Sequence, residues 1–325
     1  MANLKTSYLG LLLNNPVIVS SSGLTSSVEK IIKLEENGAG AVVLKSLFEE
    51  QIKFEAGNLI ADSDYPEAQD YIMNYLKNNS VDEYLQLIEK AKKSVEIPII
   101  ASINCISASD WTSWARNIES AGADALELNV FIVPTDENRT AEKYELLYYD
   151  IIERVREATR LPLAIKIGLH HTNLLNLVNH IYYRGASGVV LFNRFYSPDI
   201  DLDGMKFTTA EVFSSPSDLR NSLRWVGIIS GKIDKIDISA STGVHDGAAV
   251  VKQLLAGAKT VQVCSVLYKK GVDYLEKIVE FVNNWMDERK FKNLDEIRGK
   301  MSYKYIPDPA VYERSQFMKY FSGYL

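Results

Sequence analysis

The stretch Ala121-Gly-Ala-Asp-Ala-Leu-Glu-Leu-Asn-Val-Phe-Ile-Val-Pro-Thr-Asp136 decides the fold. Gly122 ends a helix, Ala125 to Leu128 form a short buried strand, and Asn129 stands where that strand gives way to a loop. The same punctuation occurs in Asn37-Gly-Ala-Gly-Ala-Val-Val-Leu44, Arg184-Gly-Ala-Ser-Gly-Val-Val-Leu191 and Ala256-Gly-Ala-Lys-Thr-Val-Gln-Val263. A glycine just past a helix C-terminus takes the left-handed conformation without the steric cost of a Cβ. The short apolar run behind it suits a strand covered on both faces. The four glycines, at positions 38, 122, 185 and 257, are spaced by 84, 63 and 72 residues. Half of each spacing, roughly 30 to 40 residues, is one strand–helix unit, and eight such units close a barrel. A doubly wound sheet is the rival fold, but no Gly-x-Gly-x-x-Gly follows the first strand. The sequence therefore reads as a single (β/α)8 (TIM) barrel over residues 1–302, with long insertions after the second and sixth strands.

A length of 325 residues is normal for such a barrel. The formal net charge of -6 argues against a nucleic-acid partner, which needs a basic face. Cys105 and Cys264 make no disulfide framework, so an intracellular, cytoplasmic setting is expected. The start Met1-Ala-Asn-Leu-Lys-Thr6 lacks a signal peptide's apolar core, and no apolar run reaches the length of a membrane span.

Outward from the opening stretch, inner strands are expected at Asn15–Ser20, Ala41–Leu44, Ile97–Ile103, Leu163–Ile167, Gly188–Phe192, Lys235–Ser239 and Thr260–Val263. Ser26-x-x-Glu29 and Ser80-x-x-Glu83 have the form of capping boxes that open helices. The first insertion, through about Asn79, carries one short helix near Tyr71–Leu76. Trp111, Trp114, Ala115 and Ile118 form the inward stripe of a helix over Ser107–Ser120. Pro216 marks the first turn of the helix after the second insertion. The segment 303–325, with Tyr303, Tyr305, Tyr312, Phe317, Tyr320 and Phe321, is too aromatic for a free tail and is expected to pack on the body or on a partner subunit.

In a barrel of this kind the site lies at the C-terminal ends of the strands. That rule selects Ser21-Ser22-Gly23, Lys45-Ser46, Asn104, Asn129, Lys166, Asn193, Ser241-Thr242-Gly243 and Cys264-Ser265. Two lysines and three asparagines would converge on one mouth. A lysine in an apolar barrel needs an anionic partner, and asparagine suits a heterocycle with alternating donors and acceptors. Small residues after strands seven and eight suit a phosphate held by backbone N–H groups. Cys105, Cys264 and the Trp111/Trp114 pair read as packing residues, and His245 as a surface residue beside the phosphate loop. His170-His171 has the look of a metal pair, but adjacent side chains diverge and no third ligand is apparent, so no metal is expected.

The ordered set Asn15-Pro16, Ser22-Gly23, Lys45-Ser46, Glu127-Leu-Asn129, Pro162-Leu-Ala-Ile-Lys166, Ser241-Thr-Gly-Val244, Asp246-Gly-Ala248 and Gly257–Val263 resembles the dihydroorotate dehydrogenase family, most closely its soluble class 1 branch. Phe291–Lys300 is similar to that family's closing segment, so the resemblance covers about residues 3 to 302. It implies an FMN-dependent oxidoreductase, with the flavin across the barrel mouth and a homodimeric assembly. By that resemblance Ser22, Gly23, Lys45, Ser46, Asn129 and Lys166 contact the flavin ring or ribityl chain, with Asn104 a further contact. Lys166 lies near the pyrimidine end and stabilises the reduced, anionic flavin. Thr242, Gly243, Cys264 and Ser265 hold the phosphate, and Asn129 and Asn193 bind the substrate.

Two departures bear on the chemistry. The family's loop after the fourth strand supplies a catalytic base, cysteine or serine, and here Ile132 stands at that position, with Thr135, Asp136 and Cys105 as the candidate replacements. The family's Asn-Ser-Met-Gly-Leu segment is replaced by Ala61-Asp-Ser-Asp-Tyr-Pro-Glu-Ala-Gln69, which contains no asparagine. Three readings stay open: an FMN oxidoreductase with a related small, dihydropyrimidine-like substrate; a true dihydroorotate dehydrogenase of pyrimidine biosynthesis with a relocated base; and a flavin- or phosphate-binding barrel without turnover.

Overall fold

The computed structural model describes residues 2–49, 69–104, 108–194 and 197–313; for 69–78 and 108–110 it describes the backbone alone. Eight parallel strands form the barrel: β1 (Val17–Val19), β2 (Ala41–Val43), β3 (Ile99–Asn104), β4 (Ala125–Asn129), β5 (Leu163–Ile167), β6 (Gly188–Leu191), β7 (Asp237–Ala240) and β8 (Thr260–Val263). Each pairs with its sequence neighbour, and β8 pairs with β1, so the sheet has no open edge. Around it run α1 (Val28–Glu36), α2 (Gln69–Ser94), α3 (Ala108–Ser120), α4 (Ala141–Ala158), α5 (Leu174–Tyr183), α6 (Leu219–Lys232), α7 (Gly247–Ala256), α8 (Ser265–Lys270) and α9 (Tyr274–Glu288). Gly38, Gly122, Gly185 and Gly257 all have positive φ (89°, 89°, 98° and 120°), the helix-to-strand turns from which the barrel was read.

Strand alternation divides the buried residues into two sets. Residues facing the helices, such as Val42, Leu126, Leu128, Ile165 and Val189, join the large core between sheet and helices. Residues facing the barrel axis form a separate cluster: Ile18, Ala41, Val43, Ile100, Ala125, Ala164 and Val190. This floor is closed from below by Tyr8, Leu9 and Leu13 of an N-terminal hairpin, Thr6–Tyr8 with Leu11–Leu13. Its two-residue turn, Leu9-Gly10, has φ of 55° and 76°, the positive values that a tight hairpin requires. Leucine is a costly choice for that conformation. Its side chain plugs the barrel beside Gly188, where an added Cβ would lie 2.6 Å from Leu9 Cδ2.

Several expectations change. Tyr71–Leu76 and the Ser80 helix are one helix, α2, with Ser80 inside it; no glycine or proline interrupts the join, and each added residue gains a hydrogen bond. Ser27, not Ser26, is the N-cap of α1, while reciprocal caps form at Ser22 and at Ser215. β7 begins at Asp237, later than Lys235, because Asp237 Oδ2 accepts the Leu9 N–H at 2.8 Å and its own N–H donates to Ser187 at 3.0 Å. The second insertion contains an unforeseen antiparallel hairpin, Pro198–Asp201 with Lys206–Thr209. Of the aromatic extension, Tyr303 and Tyr312 lie on α6: the Tyr303 N–H donates to the Gly227 carbonyl at 2.9 Å, and the Tyr312 ring sits where a Gly227 Cβ would be. Phe317, Tyr320 and Phe321 lie outside the described residues. Among the described residues no helix is long and apolar enough to cross a membrane.

If the N-terminal hairpin is the floor of the barrel, Leu13→Ala opens a cavity there and costs about 2–5 kcal/mol. Urea denaturation of the full chain measures this, and a loss under about 1 kcal/mol would show that the hairpin is dispensable.

Candidate functional site

The alternation that builds the apolar floor continues upward and puts polar side chains on the same inner face one layer higher: Ser20, Ser102, Glu127, Lys166 and Gln262, all buried. Lys166 Nζ donates to Ser20 Oγ and to Gln262 Oε1, each at 3.1 Å, and lies 3.4 Å from Glu127 Oε1. Gln262 Nε2 donates to Glu127 Oε2 at 2.7 Å, and Ser20 Oγ donates to Gln262 Oε1 at 3.0 Å. Lys166 is 7% exposed and Glu127 1%. Removing two charges from water this fully costs several kcal/mol per ion, which the pair recovers only with good geometry and further hydrogen bonds.

Above this layer opens a cavity of about 450 Å³, lined in part by Ser21, Lys166, Asn193, Thr242, Gly243, Cys264 and Ser265. Of the residues selected from the sequence, these and Ser241 border the cavity, whereas Ser22, Gly23, Lys45, Ser46, Asn104 and Asn129 are not among its lining. Ser46 links the first three strands: its N–H donates to Ser21 Oγ at 2.9 Å, and its Oγ lies 2.7 Å from Ser102 Oγ. Ser22 caps the turn Gly23–Thr25 and accepts the Leu24 N–H at 3.2 Å. Lys45 is exposed and Asn104 half-buried. Asn193 Nδ2 donates to Asn129 Oδ1 at 2.6 Å, so the two asparagines act as one unit. Burial raises the pKa of the Cys264 thiol, with Ser22 and Lys166 opposing, which keeps it protonated at neutral pH.

Backbone shape makes room at two places. A Cβ on Gly23 would meet Tyr268 Oη at 2.9 Å, and one on Gly243, whose φ is 80°, would meet the Leu219 nitrogen at 2.1 Å. Thr242, before it, also has positive φ, 75°, and donates its hydroxyl to the Phe192 carbonyl at 3.0 Å. His245 is buried, not on the surface as expected. Its Nε2 lies 3.0 Å from Ser214 Oγ, and burial, followed by the Lys269 charge, lowers its pKa.

The loop after β4 is different in character. Ile132 is half-buried, packs on the outer core and lines a cavity of about 100 Å³ with His170, His171 and Tyr148. Burial lowers the pKa of His171. Thr135 and Asp136 are exposed, and Asp136 Oδ1 accepts the Asn138 N–H at 3.0 Å. Cys105 and residues 61–68 lie outside the described residues. Among the described residues no group of three or more potential metal ligands occurs. Sequence reasoning missed Ser20, Gln262 and Arg194 as site residues. For Gln262 the signal was available: a long amide side chain between two valines in Thr260-Val-Gln-Val263, a strand buried throughout.

A family model described as Dihydroorotate dehydrogenase matches residues 3–286. The chain is similar to proteins named dihydroorotate dehydrogenase B (NAD(+)), catalytic subunit. The Thermoplasma acidophilum protein is 26% identical over 314 residues, covering 92% of this chain and 99% of the relative. That of Methanocaldococcus jannaschii is 25% identical over 304 residues, covering 91% and 97%. That of Pyrococcus furiosus is 26% identical over 307 residues, covering 91% and 98%.

Loss of one partner of the buried pair is expected to cost more than loss of both charges. Lys166→Met should destabilise the chain by about 3–5 kcal/mol, and adding Glu127→Gln should restore part of that. Denaturant midpoints of the two single variants and the double variant measure the coupling; strictly additive losses would contradict a paired charge.

Proposed function

The chain belongs to the dihydroorotate dehydrogenase family, oxidoreductases that act on CH–CH donors, and from that premise we propose that it is an FMN-dependent oxidoreductase for a small, cyclic, dihydropyrimidine-like substrate. The observation that carries this reading is the Lys166 network facing the cavity of about 450 Å³. The residues fit a flavin nucleotide. Gly23 and Gly243 admit the Tyr268 hydroxyl and the Leu219 backbone against their own chain, and Ser22, Ser46, Asn104, Asn129 and Lys166 supply polar contacts to a heterocycle. Thr242, Gly243, Cys264 and Ser265 supply a phosphate seat. Bound there, FMN supplies a two-electron acceptor for the substrate's CH–CH bond.

The chain's own residues then divide the remaining work. Lys166 holds a fixed positive charge at the floor of the cavity, positioned before reaction by Ser20, Gln262 and Glu127, so little reorganisation accompanies charge development. The Asn129–Asn193 pair offers amide donors and acceptors to the substrate's imide edge. Val130, Phe131, Ile132 and Val133 make the loop above β4 apolar and provide no lone pair for a proton. Dihydroorotate itself is the second reading, favoured by the asparagine pair and by the relatives' names.

The nucleotide is tested directly. Purified protein should be yellow and should release FMN, not FAD, on heating; colourless protein that takes up no FMN would sink the proposal. The proton step gives a second test. A positioned base contributes about 10² to 10⁴ in rate, so dihydroorotate turnover should fall at least about 10²-fold below that of a class 1 enzyme with its cysteine in place. Ile132→Cys should raise it. Rapid turnover by the unmodified chain would show that another residue is the base.

The assembly we propose is a homodimer. Its support is the hairpin of the second insertion, which leaves Leu202, Met205 and Phe207 84%, 88% and 79% exposed, more apolar surface than a lone two-stranded ribbon ordinarily presents. Sedimentation at micromolar concentration should give a dimer, and Phe207→Asp should shift it toward monomer. A monomer throughout the range would refute this assembly.

A further inference from the structure

Arg194 follows Asn193 at the mouth and is half-buried. Its Nη2 donates to the Glu211 carbonyl at 2.7 Å, which pins the guanidinium against the second insertion. Its Nη1 is closed off from solvent and has no hydrogen-bond partner. The side chain borders both the cavity of about 450 Å³ and an adjoining one of about 250 Å³. Among the described residues lining the larger cavity, Lys166 and Arg194 are cationic and none is anionic. Lys166 already has Glu127 at 3.4 Å, whereas Arg194 takes part in none of the described ion pairs. In the smaller cavity the one described carboxylate, Asp218, accepts the Ser215 N–H through Oδ2 at 2.8 Å. The site therefore holds one surplus cation whose free N–H is desolvated before any ligand arrives. Such a donor is costly to bury, and it is satisfied when an acceptor enters. Because one edge of the guanidinium is already fixed, little freedom is lost when the other closes on an oxyanion.

We propose that Arg194 is the oxyanion receptor of this site, through the free Nη1–H. The oxyanion is either the phosphate of a bound flavin nucleotide or the carboxylate of a substrate sharing the cavity. The first source rests on the flavin reading and the second does not. Ser214 and Ser265, with the Ser214 N–H donating to Ser265 Oγ at 3.0 Å, and Asn193, bonded to Asn129, line the same cavity as Arg194.

The test is calorimetric titration of the full-length chain, freed of nucleotide, with FMN, riboflavin, inorganic phosphate and orotate. It compares the unmodified chain with Arg194→Gln and Arg194→Lys. A lost charge-assisted hydrogen bond weakens binding roughly 10- to 100-fold. If phosphate is the ligand group, Arg194→Gln weakens FMN and inorganic phosphate by that factor, leaves riboflavin unchanged, and Arg194→Lys recovers part of the loss. If a carboxylate is the ligand group, both flavins bind as before and orotate weakens by the same factor. Either result supports the proposal, and unchanged riboflavin binding or an unchanged melting temperature shows that the variant is folded. Should the unmodified chain bind neither flavin but bind phosphate or orotate in an Arg194-dependent way, the flavin reading fails and the receptor stands. Arg194→Gln binding every probe as the unmodified chain does overturns the receptor. No binding of any probe by the unmodified chain overturns both.

Discussion

A lysine held in the throat of a barrel is the constraint on which the site depends. Lys166 Nζ is buried 3.4 Å from Glu127 Oε1, and Glu127 Oε2 accepts the Gln262 amide N–H at 2.7 Å. Three strands, β4, β5 and β8, are thereby tied together from the inside, with Ser20 of the segment after β1 completing the set. A hydrophobic filling of the same layer would cost less free energy than a buried ion pair. Stability alone therefore does not account for the layer. The reading proposed for the site, a preorganised positive charge beneath a ligand, does.

The layers beneath and above follow from that placement. Below, the apolar floor and the hairpin plug exclude water from the ion pair's inner side, which strengthens the charge felt at the mouth. Above, Gly23 and Gly243 let the Tyr268 hydroxyl and the Leu219 backbone close in against the chain. Lys166, Asn129 and Asn193 stand at or just past the ends of β5, β4 and β6. Ile132, which departs from the family pattern, and Arg194 stand on the loops that follow those strands. Loops on a fixed scaffold are where specificity changes at least cost to the fold.

Much of this was legible in the sequence, for a definite reason. The Gly-Ala turns report the backbone conformation directly, and strand ends in a barrel point to one face, so Lys166, Asn129, Asn193, Thr242 and Gly243 could be gathered before any coordinates. What was not legible depends on side-chain reach or on pairing distant in sequence. Gln262 and Glu127 are 135 residues apart, and nothing local announces that they share a proton donor and acceptor. His245 was placed on the surface from its position beside the phosphate loop, yet it is buried and its Nε2 lies 3.0 Å from Ser214 Oγ, 31 residues earlier. The Ser80 capping signal failed because a cap is decided by the chain before it, and here that chain is already helical. The hairpin of the second insertion was missed because its strands show no inward face, every side chain being wholly or partly exposed.

The most direct measurement of the central claim is the midpoint potential of the bound flavin in the unmodified chain and in Lys166→Met, each determined anaerobically at pH 7 on protein that retains the nucleotide. Loss of the positive charge removes stabilisation from the more negative, reduced form. The account predicts a potential lower by tens of millivolts, since 30 mV corresponds to about 1.4 kcal/mol for a two-electron couple. An unchanged potential in the folded, flavin-bound variant would show that the charge in the barrel throat does not act on the ligand above it.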